Sequence, residues 1–258
     1  MSRGWRIFVF VGSAIALFFL YLWGLHGLSP FGHYPGPYGD VINQLAVYER
    51  HATDAVTAVN FDYRGFDTLG EEFILFISVV GCTLLLRQMR EETREDEQTA
   101  STTDEAPERR APAPTEALKV TTLALIGPLV VFGVYIVTHG QLSPGGGFQG
   151  GVILATAPLL VYLAGDLKTF KHITSHTLVE ISEAVGAFGY VLIGLLGMAA
   201  GAAFLQNVLP LGQTGAIHSS GTIIVISISV GLEVAAGFVL LLHAFLEQTL
   251  EIRLGGQK

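Results

Sequence analysis

Apolar positions along this chain gather into six runs separated by polar breaks. The runs predict helices over Trp5–Leu25, Leu69–Leu86, Val120–Val137, Gly151–Leu163, Val179–Leu205 and Thr222–Phe245. Most are near 20 residues long, the length at which a helix crosses the roughly 30 Å hydrocarbon layer while satisfying its own backbone. The fourth run is short and contains Pro158, which predicts a tilt or an extension back into the preceding glycine-rich loop. Between the first two runs, Asn43–Phe61 is less apolar, and Glu49, Arg50, His51 and Asp54 make a full crossing costly. That segment is predicted to lie as an amphipathic helix at the membrane surface or against a partner. The expected fold is all-α and membrane-embedded, with about six transmembrane helices arranged two plus four.

The polar stretch from Arg90 to Ala117 divides the two groups. It is rich in Glu, Thr, Ala, Pro and Arg without apolar periodicity, so it cannot bury enough surface to offset its ordering entropy. The expected organisation is a two-helix block at 1–89, a disordered linker at 90–117 and a four-helix block at 118–258. Composition agrees. Half of the residues are hydrophobic and 14% are charged, against about a quarter charged in soluble domains. The formal charge of −8 lies largely in the linker and does not imply an acidic surface seeking basic partners. One cysteine, Cys82, excludes an intrachain disulfide or a cysteine-based metal site. The first run is long for a secretory signal and lacks an A-x-A site, so it reads as a retained helix.

Basic residues set the expected orientation. With the N-terminus in the cytoplasm and six crossings, 12 of the 14 Lys and Arg fall inside, and only Arg50 and Arg64 fall outside. Counting Asn43–Phe61 as a seventh crossing would strand the arginine-rich linker outside. Six crossings with both termini cytoplasmic is the expected topology, in the cell membrane.

Ionisable groups at membrane depth are the first chemical candidates. Glu233 stands midway along the last run, about 16 Å from either end at 1.5 Å per residue, with nothing in its own helix to pair with. It is either a neutral acid bonded across a helix interface or part of a transport route. Glu180 and Glu183 lie three apart on one helix face, with Glu183 deeper. At the start of the second run, in Asp62-Tyr63-Arg64-Gly65-Phe66-Asp67-Thr68-Leu69-Gly70-Glu71-Glu72, Asp62 can pair with Arg64 and Asp67 or Thr68 can cap the helix. Glu71 there is either a favourable first-turn acid or a hydrated relay site. The loop His139-Gly-Gln-Leu-Ser-Pro-Gly-Gly-Gly-Phe-Gln-Gly-Gly151 lacks the strand and the Lys-Ser/Thr of a phosphate loop. It suits irregular backbone buried in protein at membrane depth. His139 is its one titratable group, a packing histidine or a proton carrier. No nucleophile elbow or metal-ligand spacing occurs, so a self-contained enzyme, a cofactor and a tightly bound metal are not expected.

These residues carry a resemblance. The loop from His139 to Gly151, with Glu183…Gly186 and Gly231-Leu-Glu-Val-Ala-Ala-Gly237, resembles the MnhB/MrpB family over about residues 118–250. Those are four-helix subunits of Mrp-type multisubunit cation/proton antiporters. Val59-Asn-Phe-Asp-Tyr-Arg-Gly-Phe-Asp-Thr-Leu-Gly-Glu71 resembles the MbhE-like tail of the large MrpA subunit, over roughly residues 1–89. Glu72 departs from that pattern, which has an apolar residue there. The resemblance implies two fused blocks, other Mrp-type membrane subunits as partners, and Na⁺ and H⁺ as transported ions. Carried over by position, it implies ion-route residues Asp67, Glu71, His139, Glu183 and Glu233. It implies motif residues Arg64, Gly65, Pro144, Gly145, Gly146, Gly147 and Phe148. The same modules occur in membrane-bound hydrogenases, so a membrane-arm subunit of a redox-driven ion pump is the alternative.

Overall fold

The structure, a computed structural model, describes residues 3–28, 36–99, 114–164 and 167–255. They form α1 (Arg3–His26), α2 (Pro37–Arg50), α3 (Ala55–Ala58), a π-helical turn (Val59–Tyr63), α4 (Gly65–Thr99), α5 (Glu116–Thr138), α6 (Gly147–Leu163), α7 (Leu167–Ile173), α8 (His176–Ala199) and α9 (Thr222–Gly255). No strand occurs among the described residues. Five helices are long and apolar enough to cross a membrane: Ile7–His26 of α1, Gly65–Leu86 of α4, α5, α8 and Thr222–Leu246 of α9. The fourth expected crossing is α6, an apolar helix of 17 residues. It starts four residues earlier than its apolar run, inside the glycine loop. The chain is a multi-pass all-α membrane protein.

The helix ends have local causes. Thr115 caps α5 by accepting the Leu118 amide, and Ser175 caps α8 by accepting the Leu178 amide. Helix α8 stops at Ala199, six residues before the end of the apolar run, because residues 200–205 turn through Gly201 in the left-handed region (φ 79°). The segment expected to be one amphipathic helix is not one helix. His51 takes a left-handed φ of 52° and ends α2, and Asp54 then caps α3 through the Val56 and Thr57 amides. Helix α4 continues through Thr99, past the expected start of the linker, and residues 100–113 lie outside the described residues.

The chain forms two compact units, Met1–Val41 and Ile42–Lys258. In the first, residues 7–26 of α1 are exposed on every face, including Phe8, Phe10, Phe19 and Trp23. Such an all-round apolar helix suits lipid or a partner helix. In the second, α9 is the central helix, packed by α4, α5, α6 and α8. Of its most apolar window 61% is buried, against 33% or less for the other spans.

Close backbone approach makes that centre. A Cβ on Gly147 of α6 would lie 2.2 Å from the Ser227 carbonyl oxygen of α9. A Cβ on Gly186 of α8 would lie 2.5 Å from the Glu233 amide nitrogen. Only glycine fits at these crossings, the usual device where helices pack without a hydrophobic driving force between them. The Ser227 hydroxyl also donates to the Val137 carbonyl of α5 at 2.7 Å.

At the end where α4 and α9 begin, three connecting segments are bonded into one cluster. The Thr53 and Asp54 amides donate to the Gln141 carbonyl at 2.9 and 3.2 Å. The Gln141 side chain donates to the Ile217 carbonyl at 2.6 Å, and Ser220 donates to the His51 carbonyl at 2.9 Å. Asn207 holds the centre. Its amide donates to Asp62 and to the Ser220 carbonyl, each at 2.9 Å, while its carbonyl oxygen accepts the Thr222 amide at 2.9 Å. This loop end is the one the basic-residue count assigns to the outside.

Gly147→Ala is expected to destabilise the protein by about 1–3 kcal/mol through overpacking against backbone. Gly189→Ala should cost less, because its new methyl meets the Ser229 hydroxyl, a side-chain end that can turn away. Heat-induced aggregation of the solubilised complex checks the order. Asn207→Ala should cost ~1–3 kcal/mol by stranding its three partners. Hydrogen exchange at the Thr222 amide should accelerate.

Candidate functional site

Three carboxyl groups converge on the central helix. Glu233 is 1% exposed, Glu72 2% and Glu183 5%. Each is carried inward by its helix face. On α9, Ile226, Val230, Glu233 and Gly237 recur at spacings of three and four; Glu233 meets Gly186 of α8, and Gly237 meets Glu183 of α8 and Val79 of α4. On α8 the buried face is Glu183, Gly186, Tyr190, Ile193 and Gly197. On α4 it is Thr68, Leu69, Glu72 and Val79.

The three acids form a row rather than a knot. Gly186 sits against the backbone of Glu233, which fixes the crossing of α8 and α9. One turn from that crossing, Glu183 lies over Gly237: a Cβ there would be 3.4 Å from Glu183 Oε1 and 3.3 Å from Val79. One turn the other way along α8, the Tyr190 hydroxyl donates to the Gly65 carbonyl at 2.7 Å. Glu72 lies on α4 between Gly65 and Val79, about 10 Å of helix from each at 1.5 Å per residue. Glu72 and Glu183 are both within electrostatic range of Glu233. From the loop end inward the order is Gly65 with Tyr190, then Glu72, Glu233 and Glu183. Beyond Glu183 stands Glu180, within electrostatic range of it and paired with His176 at 3.2 Å, both exposed.

Both oxygens of Glu233, Oε2 of Glu72 and Oε1 of Glu183 are buried without a hydrogen-bond partner. Among the described residues no ion pair with a basic side chain reaches the three. Three such groups in one apolar interior need protons or bound cations to balance them. An orphaned buried acceptor costs about 1–3 kcal/mol or more. The row retains four such acceptors. Among the described residues no cluster of three or more His, Cys, Asp or Glu has metal-binding geometry.

The other sequence candidates lie elsewhere. Glu71 is exposed, a helix rotation of about 100° from Glu72, so the inward carboxyl at the start of α4 is the one the sequence reading left aside. The signal was present: Glu72 falls three from Leu69 and seven from Val79. Asp67 is half exposed and pairs with Arg64. Asp62 does not pair with Arg64. It takes Arg50 at 2.7 Å and Asn207 at 2.9 Å, because the break at His51 brings the end of α2 back over the π-helical turn. Tyr63 donates to Glu49 at 2.9 Å. Burial, reinforced by that bond, pushes the Tyr63 phenol up to about 12, so it remains a donor. His139 ends α5, stacked on Tyr135 at 4.1 Å with Nδ1 buried and unpartnered. Gly145 and Gly146 have φ of 159° and 132°, and Gly146 caps α6 just before the Gly147 contact. Pro144 and Phe148 are exposed. These motif residues shape the turn that sets α6 against α9.

Residues 117–240 match the family described as a domain related to the MnhB subunit of Na⁺/H⁺ antiporter. The chain is 29% identical over 205 residues to the uncharacterized protein MJ1307 of Methanocaldococcus jannaschii, covering 76% of this chain and 78% of that one. A chain in the structure of the membrane-bound sulfane sulfur reductase, an archaeal respiratory membrane complex, superposes with a TM-score of 0.69 at 31% identity. That match covers 93% of this chain and 97% of the other. A chain of the Mrp complex from Dietzia sp. DQ12-45-1b has the same fold, with a TM-score of 0.70 at 21% identity. Here 95% of this chain spans 26% of that one. Residues 117–240 of this multi-pass membrane protein are thus similar to the family described as a domain related to the MnhB subunit of Na⁺/H⁺ antiporter.

Proposed function

We propose that this chain is a membrane subunit of a multisubunit cation/proton antiporter of the Mrp type, and that Glu72, Glu233 and Glu183 are its share of the ion route. The observation that carries the reading is Glu233, fully buried at mid-helix with both oxygens unpartnered. It stands between two further buried carboxyls on neighbouring helices. A positive charge entering such a row meets an acceptor at each step, and a leaving one exposes the next. The family match, made through residues 117–240, supports the antiporter setting. In this reading residues 1–89 are an MbhE-like block and 118–258 an MnhB-like block. Both termini are cytoplasmic, in the cell membrane, and Na⁺ and H⁺ are the transported ions. Glu72 belongs to the first block and Glu183 and Glu233 to the second, so the route depends on both.

A second reading has its own support. The chain that matches over nearly the full length of both proteins comes from a respiratory membrane complex. There the same row would serve ion movement driven by electron transfer elsewhere in the assembly. Both readings use one row and differ in the partners.

Inverted vesicles carrying the assembled complex test the row. Glu233→Gln, Glu72→Gln and Glu183→Gln are each expected to lower Na⁺-driven proton release by about tenfold or more at normal complex abundance. Glu71→Gln should stay close to wild type. Full exchange in Glu233→Gln complexes would remove the route. Affinity purification of the tagged chain in mild detergent separates the two settings. Antiporter subunits alone are expected, and co-purifying redox subunits would establish the second reading.

A further inference from the structure

The row ends differently on its two sides. At the inner end it continues through Glu180 to His176, both about half exposed. At the loop end it stops beneath a surface cavity of about 330 Å³ whose lining includes Arg50, Asp62, Tyr63, Gly65, Leu205 and Gln206. We propose that this cavity is the outer mouth of the row and that Tyr190 is the gate between them. This rests on reading Glu72, Glu233 and Glu183 as a transit row, and it adds where that row opens and what closes it.

About half of the cavity lining is polar, and its charges are already committed. Asp62 gives one oxygen to Arg50 and the other to Asn207, and Arg64 on the rim pairs with Asp67. Such a lining holds water without trapping a cation, which suits a mouth better than a binding site. Its floor is Gly65. The Gly65 carbonyl accepts the Tyr190 hydroxyl at 2.7 Å, and Tyr190 itself is 0% exposed. Phe61 packs edge-on against the Tyr190 ring at 6.5 Å. Leu205 lines the cavity beside it. A Cβ on Gly65 would be 3.6 Å from the Tyr190 hydroxyl and 3.8 Å from Leu205. Leu205 is buried although its backbone is left-handed, φ 63°, a conformation a leucine keeps only where its surroundings hold it. Glu72 lies about 10 Å of helix beyond Gly65 on α4, within electrostatic range of Tyr190, as is Glu71.

The phenol and Leu205 are the groups packed against Gly65 where it lines the cavity, and the first carboxyl of the row follows about two turns further along the same helix. A single neutral hydrogen bond holds the phenol. Releasing it and turning the ring would let water from the cavity reach Glu72, and with it a proton or a small monovalent cation. The structure holds this gate shut, with Glu72 2% exposed.

Thiol accessibility tests the gate without reading transport. In a Cys82→Ala background, Glu72→Cys in the assembled complex is exposed to a membrane-impermeant cationic methanethiosulfonate from the loop face of the vesicles. Modification of residue 72 is followed by mass. With Tyr190 present, labelling should be slow. Tyr190→Phe keeps the ring and removes the bond, and should speed labelling roughly five- to tenfold, the population change that losing one such hydrogen bond produces. Leu205→Ala should also speed it, and decides the matter if Tyr190→Phe lowers complex abundance. Fast labelling with Tyr190 intact, or unchanged labelling in Leu205→Ala at normal abundance, would overturn the gate. Loss of exchange in Glu233→Gln with no labelling change in either gate variant would leave the row standing and the gate wrong. Accelerated labelling beside full exchange in Glu233→Gln would do the reverse.

Discussion

Everything in the larger unit depends on how closely α8 and α6 approach α9. In water, burial of apolar surface would hold these helices together. In lipid that drive is missing, and contact has to come from shape. Glycine supplies it at Gly147 and Gly186, where backbone meets backbone. The second contact falls on Glu233 itself. The interaction that makes the helices pack therefore also seals the carboxyl away from lipid and from water. Packing and site chemistry are one constraint, because a side chain at position 186 would push α8 off α9 and open the row.

Much of the fold was legible from apolar run length. All six runs correspond to helices, and the segment between the first two is helical in pieces. What the runs did not carry was how the segment breaks. His51 in the left-handed region and the Asp54 cap split it into two helices and a π-helical turn, and that fold-back pairs Asp62 with Arg50. Side-chain partners chosen by nearness along the chain failed there, since Arg64 is two residues from Asp62 and Arg50 is twelve.

The site was legible in part. Glu183 and Glu233 stood out because a carboxyl deep in an apolar run is expensive wherever it points. Glu72 did not stand out, because its neighbour Glu71 fitted the family pattern and sat at an equivalent depth. Depth is a property of sequence position. Facing is not, until a partner helix is known. Tyr190 was invisible for a related reason: a tyrosine in an apolar helix is ordinary until its hydroxyl is seen to close on Gly65, 125 residues away. The row also draws on α4 and on α8 and α9, which lie far apart along the chain, so neither stretch read alone displays it.

Glu71 and Glu72 have one more consequence. Adjacent residues on a helix point about 100° apart, so α4 carries one carboxyl toward α9 and one away from it. Turning α4 about its axis by a single residue's increment would withdraw Glu72 and deliver Glu71 to the place it left. The doubled acid marks the buried and the exposed side of α4 at one level. One carboxyl is thereby kept in the buried centre while its neighbour stays on the exposed surface of the same helix.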